Sequence, residues 1–214
     1  MAARDEEPVV IPVEAGVSLE GLLHRPPGQA RGTALVLHPH PLYGGSMHNN
    51  VVEALCAGAW AAGWASLRFN FRGVGGSSGQ HDDGRGEQDD AIAAAAWLRE
   101  ACPGPLALMG YSFGARVATQ AAAGMGALAA GVLAAPALVL GELGTWPEGV
   151  GRLLILAGDR DPYTSLPGLR AYLVGLGARA QLRELVGADH FLAGRESELA
   201  SRTTAWLDQA LEVN

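Results

Sequence analysis

The sequence predicts a single-domain α/β fold, a mostly parallel twisted sheet with helices on both faces. Three observations carry that prediction. Apolar runs rich in Val, Ile and Leu alternate with Ala-rich stretches of helical period. Glycine and proline punctuate nearly every junction between them, with 30 Gly and 12 Pro in the chain. The length, 214 residues, suits one domain and leaves no room for a second.

The elements follow in order. A pair of strands is expected around Val9 to Val13 and Ser18 to His24, then a buried strand from Thr33 to His38 and a helix from about His48 to Ala62. The strand Ala65 to Phe71 leads into a glycine-rich turn, Arg72 to Gly79. A helix from about Glu87 to Ala101 precedes the strand Leu106 to Met109, the helix Phe113 to Ala123 and the strand Gly131 to Ala135. Arg152 to Ala157, Leu166 to Leu176, Gln181 to Val186 and Glu196 to Leu211 close the chain as strand, helix, strand, helix. Such βαβ repetition needs crossover helices on both faces of a parallel sheet, and active sites in these folds form at the carboxyl ends of the strands. The uncharged stretch from Ala127 to Gly141 is short for a membrane span and contains Gly131 and Pro136, so it reads as a buried strand with its flanks.

Composition narrows the chemistry. With 49% hydrophobic and 17% charged residues the chain can bury a core, and a net charge of -7 gives no basic footprint for nucleic acid or an anionic membrane. All 15 basic residues are Arg, which excludes a Schiff-base lysine and a Walker A loop. Cys56 and Cys102 form neither a redox pair nor a metal set, and the segment Met1 to Val10 has no apolar signal core. The expected location is therefore the cytoplasm, with reduced thiols.

The first chemical signal is Gly110-Tyr111-Ser112-Phe113-Gly114, a G-x-S-x-G string between an apolar strand and a helix. A sharp strand-to-helix turn would hold the serine in a strained backbone conformation, and small residues two places either side are needed to avoid collision. The bland alternative is a glycine-rich turn with a helix-capping serine. Serine is a poor nucleophile without a base, so the catalytic reading needs a histidine and a carboxylate on neighbouring strand ends. Both follow in order: Gly158-Asp159-Arg160-Asp161-Pro162 after one strand, and Gly187-Ala188-Asp189-His190-Phe191 after the next.

Taken together, these motifs resemble the α/β-hydrolase superfamily, and most closely its small, uncapped bacterial branch. The resemblance spans nearly the whole chain and includes His38-Pro39-His40-Pro41-Leu42-Tyr43-Gly44-Gly45-Ser46-Met47, Arg68 to Gly75 and Gly86 to Asp90. It is similar in size to dienelactone hydrolases, but those carry cysteine where this chain has Ser112. The resemblance implies Ser112 as nucleophile, His190 as base and, through the Gly-x-x-Asp spacing from Gly158, Asp161 as the acid. Asp159 then reads as a turn-former bonding local backbone, and Asp189 as a turn cap. It also implies an oxyanion hole from the Phe113 N–H and one N–H of the loop after the strand Thr33 to His38. Pro39 and Pro41 have no N–H to give, which leaves His40 or Leu42, with His40 favoured.

The function so implied is a serine hydrolase of small carboxylic esters or thioesters, working through an acyl-enzyme without a cofactor. A peptidase, an acyltransferase, a perhydrolase or a non-catalytic ligand-binding scaffold are the alternatives. Only Pro136 to Gly151 stand where such enzymes insert a lid, so the site should be open, with Leu138 to Trp146 as a short flap. A metal held by His38, His40 and His48 is disfavoured for want of acidic or Cys ligands, and Arg72 and Arg160 read as solvated or carboxylate-paired. The expected partner is a small acyl substrate, and an exposed apolar patch around Trp146 would favour a homodimer.

Overall fold

In the computed structural model, which describes residues 6–211, eight strands form one sheet in the order β1-β2-β4-β3-β5-β6-β7-β8. The first five and last three residues of the expected 1–214 domain lie outside the described residues. β1 (Glu6–Pro12) and β2 (Ser18–His24) form an antiparallel hairpin, and β2 pairs antiparallel with β4 (Ala65–Phe69). The remaining strands, β3 (Thr33–Leu37), β5 (Leu106–Tyr111), β6 (Ala130–Ala134), β7 (Arg152–Gly158) and β8 (Ala180–Leu185), run parallel with β4.

Five helices cover the two faces: α1 (Asn50–Ala61), α2 (Arg85–Ala101), α3 (Phe113–Ala121), α4 (Leu166–Val174) and α5 (Glu196–Ala210). The strand side chains alternate between two cores. Leu35, Leu37, Leu108 and Ile155 pack with α2 and α3 residues such as Leu98 and Val117, whereas Val36, Met109, Val132 and Leu154 pack with Val51 and Leu55 of α1 and Leu199 and Leu207 of α5. Burial on both faces is why these strands read as unbroken apolar runs. Each fully buried Leu, Ile or Val contributes roughly 1.5–3 kcal/mol, which offsets the chain entropy lost on folding.

Helix starts are fixed by local chemistry. The Asn49 side chain accepts the Val51 N–H at 2.9 Å, and Ser165 accepts the Gly168 N–H at 3.1 Å. At α2 the buried Glu87 carboxylate accepts the Gly84 N–H at 2.7 Å, a capping role for a side chain at the third helical position.

The loops that matter for chemistry leave the carboxyl ends of β3, β5, β7 and β8. The chain steps from β3 outward to β4, then returns past it to β5, so β3 and β5 mark the point where the direction of winding reverses. At such a point the loops diverge to opposite faces and open a crevice.

The segment Ala127 to Gly141 is β6 and its flanks, as expected, and no helix among the described residues is long and apolar enough to cross a membrane. Trp146 does not supply the exposed apolar patch that would have favoured a homodimer. Trp146 is 1% exposed, its indole N–H donates to the Gly151 carbonyl at 2.8 Å, and its ring lies against Gly131. The segment Leu138 to Trp146 is thus tied into the core at its far end, and no exposed apolar patch forms there.

The glycine-rich turn after β4 is a structural element. Glu20 accepts the Gly76 N–H at 2.8 Å and the Asn70 amide at 2.7 Å. Arg72 is carboxylate-paired: the fully buried Asp90 of α2 accepts its backbone N–H at 2.9 Å and its guanidinium at 2.8 Å. Removing one partner of a buried pair strands the other, which costs about 3 kcal/mol or more. Asp90→Ala should therefore lower unfolding stability by about 3 kcal/mol, read from the urea midpoint at constant m-value.

Candidate active site

The serine turn is built on a backbone that only glycine adopts freely. Ser112 has φ 55 and ψ -112, between the end of β5 and the first residue of α3. A non-glycine residue there costs on the order of 1–3 kcal/mol and persists only where packing over-determines it. Here the packing is close: a Cβ on Gly110 would lie 2.5 Å from the Gly114 carbonyl oxygen, and one on Gly114 would lie 2.5 Å from the carbonyl oxygens of Leu37 and His38. Gly114 is thus required by the end of β3, and Gly110 by the turn itself.

Ser112 occupies the N-cap position of α3, yet its side chain makes no cap hydrogen bond. Its Oγ faces His190 instead, 2.9 Å from Nε2. The capping geometry of the G-x-S-x-G string is thus absent, and the hydroxyl is paired with the imidazole instead. The imidazole continues the line, with Nδ1 2.8 Å from Asp161 Oδ2. A carboxylate only accepts, so Nδ1 carries the proton and the Nε2 lone pair is left for the serine hydroxyl. The other Asp161 oxygen accepts the N–H groups of Tyr163 at 2.7 Å and Thr164 at 3.1 Å, which fixes the carboxylate plane. Burial pushes the Asp161 carboxyl up, but the hydrogen bond and charge of His190, helped by those N–H groups, outweigh it and hold it below the usual value. The Tyr111 hydroxyl donates to the His190 carbonyl at 3.1 Å and steadies the loop.

The rival carboxylates have other partners. Asp159 accepts the Gly187 N–H at 2.7 Å, so it links the β7 and β8 loops and does not merely shape its own turn. Asp189 accepts the Phe191 N–H at 3.0 Å, the turn cap expected of it.

The loop after β3 brings His40 to the cavity. The Leu42 N–H donates to His40 Nδ1 at 3.2 Å, and the Leu42 side chain is 70% exposed and does not line the cavity. The His40 carbonyl accepts the N–H groups of Tyr43 and Gly45, which folds the loop back so tightly that a Cβ on Gly45 would sit 2.1 Å from the Pro39 oxygen. Phe113, the first residue of α3, is buried with its ring 4.8 Å from that of His40. Of the two loop candidates, His40 is the one the structure leaves beside Ser112 with its N–H uncommitted among the described residues.

His38 underpins this loop. It is fully buried, its Nε2 accepts the Phe71 N–H at 3.0 Å, and its Nδ1 donates to the Pro39 carbonyl at 2.6 Å. Burial lowers it from 6.5 to about 4. His40 is also lowered, by burial and then by the nearby charges of His81 and Arg116. Among the described residues no three His, Cys, Asp or Glu side chains group to hold a metal ion.

Ser112 and His190 open onto a cavity of about 630 Å³ whose lining contains no Asp, Glu or Arg. Its mouth carries Tyr43, Val139, Tyr163 and Phe191, exposed by 83%, 61%, 44% and 61%. Val139 belongs to the segment expected to form a short flap, whereas Tyr43, Tyr163 and Phe191 had no role assigned from the sequence. Tyr163 and Phe191 stand two residues after Asp161 and one after His190, a nearness that could have drawn notice to them.

Residues 15–153 match the family described as X-Pro dipeptidyl-peptidase (S15 family). The chain belongs to this S15 family of α/β hydrolases. The family match includes the Ser112 turn and ends before the turns that supply Asp161 and His190. Two solved structures extend the likeness over the whole domain. An α/β serine hydrolase without lid from Xanthomonas campestris is 29% identical, with a TM-score of 0.86 over 98% of this chain and 96% of that one. An α/β serine hydrolase homologue from Coxiella burnetii is 30% identical, with a TM-score of 0.81 over 96% of this chain and 98% of that one. An uncharacterised protein of Rickettsia prowazekii (strain Madrid E) is 51% identical over 89 residues, which are 41% of this chain and only 37% of that protein.

His38 gives the site a pH signature. Because its folded value is depressed, the unfolded chain takes up the proton first as pH falls, and stability is lost between pH 6.5 and about 4. A gap of that size corresponds to about 3 kcal/mol. In His38→Gln, whose amide can still accept the Phe71 N–H, the stability lost across that interval should be smaller by about that amount, measured by urea unfolding at each pH. Equal losses in both proteins would refute it.

Proposed function

We propose that this S15-family hydrolase cleaves small carboxylic esters or thioesters through an acyl-enzyme on Ser112. The observation that carries the reading is the hydrogen-bonded line from Ser112 Oγ through His190 to Asp161, ending on an open, uncharged cavity. His190 Nε2 takes the serine proton as Oγ adds to the acyl carbon, and Asp161 stabilises the imidazolium. The oxyanion is held by the N–H groups of Phe113 and His40. The imidazolium then returns its proton to the leaving oxygen or sulfur, the acyl–heteroatom bond breaks, and water repeats the sequence to free Ser112.

The family name favours a second reading, a peptidase. Removing a dipeptide from a free N-terminus calls for a group that binds an ammonium, and no carboxylate lines this cavity. That absence among the lining residues supports the ester over the peptide. The short flap also supports small substrates, since Leu138–Leu140 is a single 3-10 turn at the cavity.

Ser112→Ala should lower ester turnover by on the order of 10⁴ or more without changing the unfolding midpoint. A fluorophosphonate probe should label the native protein at Ser112 and leave the variant unlabelled. An alanine variant that keeps its esterase rate removes the reading, and a native protein that the probe does not modify returns it to a binding scaffold.

A further inference from the structure

Two exposed aromatic rings stand beside the His190 imidazole. The Tyr163 ring lies 4.8 Å and the Phe191 ring 5.9 Å from it, centroid to centroid, and both border the cavity. Neither ring belongs to the core, and water bathes much of each. Their backbones are nevertheless pinned, the Tyr163 N–H by Asp161 and the Phe191 N–H by Asp189. Rigid apolar surface held open next to a reacting group is a recognition surface when a substrate covers it.

The chemistry says which part of the substrate that is. When the tetrahedral intermediate collapses, the proton moves from His190 Nε2 to the departing oxygen, so that oxygen must come within hydrogen-bond reach of Nε2. The carbonyl oxygen is drawn the other way, toward the N–H groups of His40 and Phe113. Whatever acyl group is present, the first carbons of the alcohol therefore enter the space beside His190, where Tyr163 and Phe191 stand. Resting on the acyl-enzyme reading above, we infer that Tyr163 and Phe191 form the leaving-group subsite and select esters of bulky apolar alcohols, aromatic ones above all.

Each ring offers an edge or a face for offset contact with an aryl group, and no charge in the lining favours a charged alcohol. In acylation the Ser112 Oγ–acyl bond forms, the acyl–alkoxy bond breaks, and the serine proton ends on the alcohol. Water then cleaves the acyl-enzyme after the alcohol has left. The two rings accordingly act on formation of the acyl-enzyme and not on its hydrolysis.

Benzyl acetate and ethyl acetate test this, since they share an acyl group and have alcohols of similar acidity. Wild type should prefer the benzyl ester in kcat/KM by about ten-fold or more, and Phe191→Ala and Tyr163→Ala should each lower the benzyl-to-ethyl ratio by about ten-fold. Intact-mass detection of acetyl-Ser112 should show slower formation from the benzyl ester in each variant, with its hydrolysis less affected. A wild-type ratio near one, or variants that slow both esters equally, overturns the subsite while acetyl-Ser112 still forms. A variant that alters preference between acetate and butyrate of one alcohol, but not between alcohols, assigns the rings to the acyl side and overturns it too. A Ser112 that a fluorophosphonate does not label, together with no hydrolysis of either ester, overturns the acyl-enzyme reading itself, and the subsite with it.

Discussion

The site depends on the close approach of α3 to the end of β3. Ser112 cannot relax out of its left-handed backbone because Gly114 lies against the carbonyls of Leu37 and His38, and Gly110 lies against Gly114. The same contact brings the serine turn beside the loop that carries His40. Strain at one residue is thus held by the burial of two adjoining strands, whose side chains fill cores on both faces of the sheet. The cap that α3 forgoes is worth about 1 kcal/mol, a modest cost against a hydroxyl aimed at His190.

Around that contact the structure arranges supports of three kinds. Backbone N–H groups hold the Asp161 carboxylate, buried histidine and asparagine side chains hold the loop after β3, and aromatic residues tied through their backbone N–H groups border the mouth. His38 illustrates the second kind: it is neutral, saturated by backbone on both nitrogens, and reaches the end of β4 through Phe71. Asn70 adds to this by accepting the Met47 N–H, so the loop is fastened at both of its ends. The cavity lining itself contains no Asp, Glu or Arg side chain.

Much of this was legible in the sequence because its causes are local or periodic. Strands buried on both faces appear as apolar runs, so β3 to β7 are found to within a residue or two at each end. The order of the serine, acid and histidine turns along alternating elements pointed to one sheet edge, and the resemblance to α/β-hydrolases chose Asp161 over Asp159. What the sequence withheld depends on tertiary packing. That the Leu42 N–H is taken up by His40 Nδ1 follows from how the loop folds back on the His40 carbonyl. Trp146 looks like a surface aromatic in a loop, and only Gly131 on β6 makes room for its ring. Asp159 bonds across to Gly187, a contact that no turn rule anticipates. Tyr163 and Phe191 carry no pattern at all, since exposure is a property of the assembled surface.

The serine and histidine that share a proton are 78 positions apart in the chain, and the histidine and its carboxylate are 29 apart. No fragment of the polypeptide holds all the parts, and the hydroxyl of an unfolded chain is an ordinary alcohol. The hydrogen-bonded line is therefore a gauge of global assembly: it closes only once the crossovers are wound and the strand ends have come level.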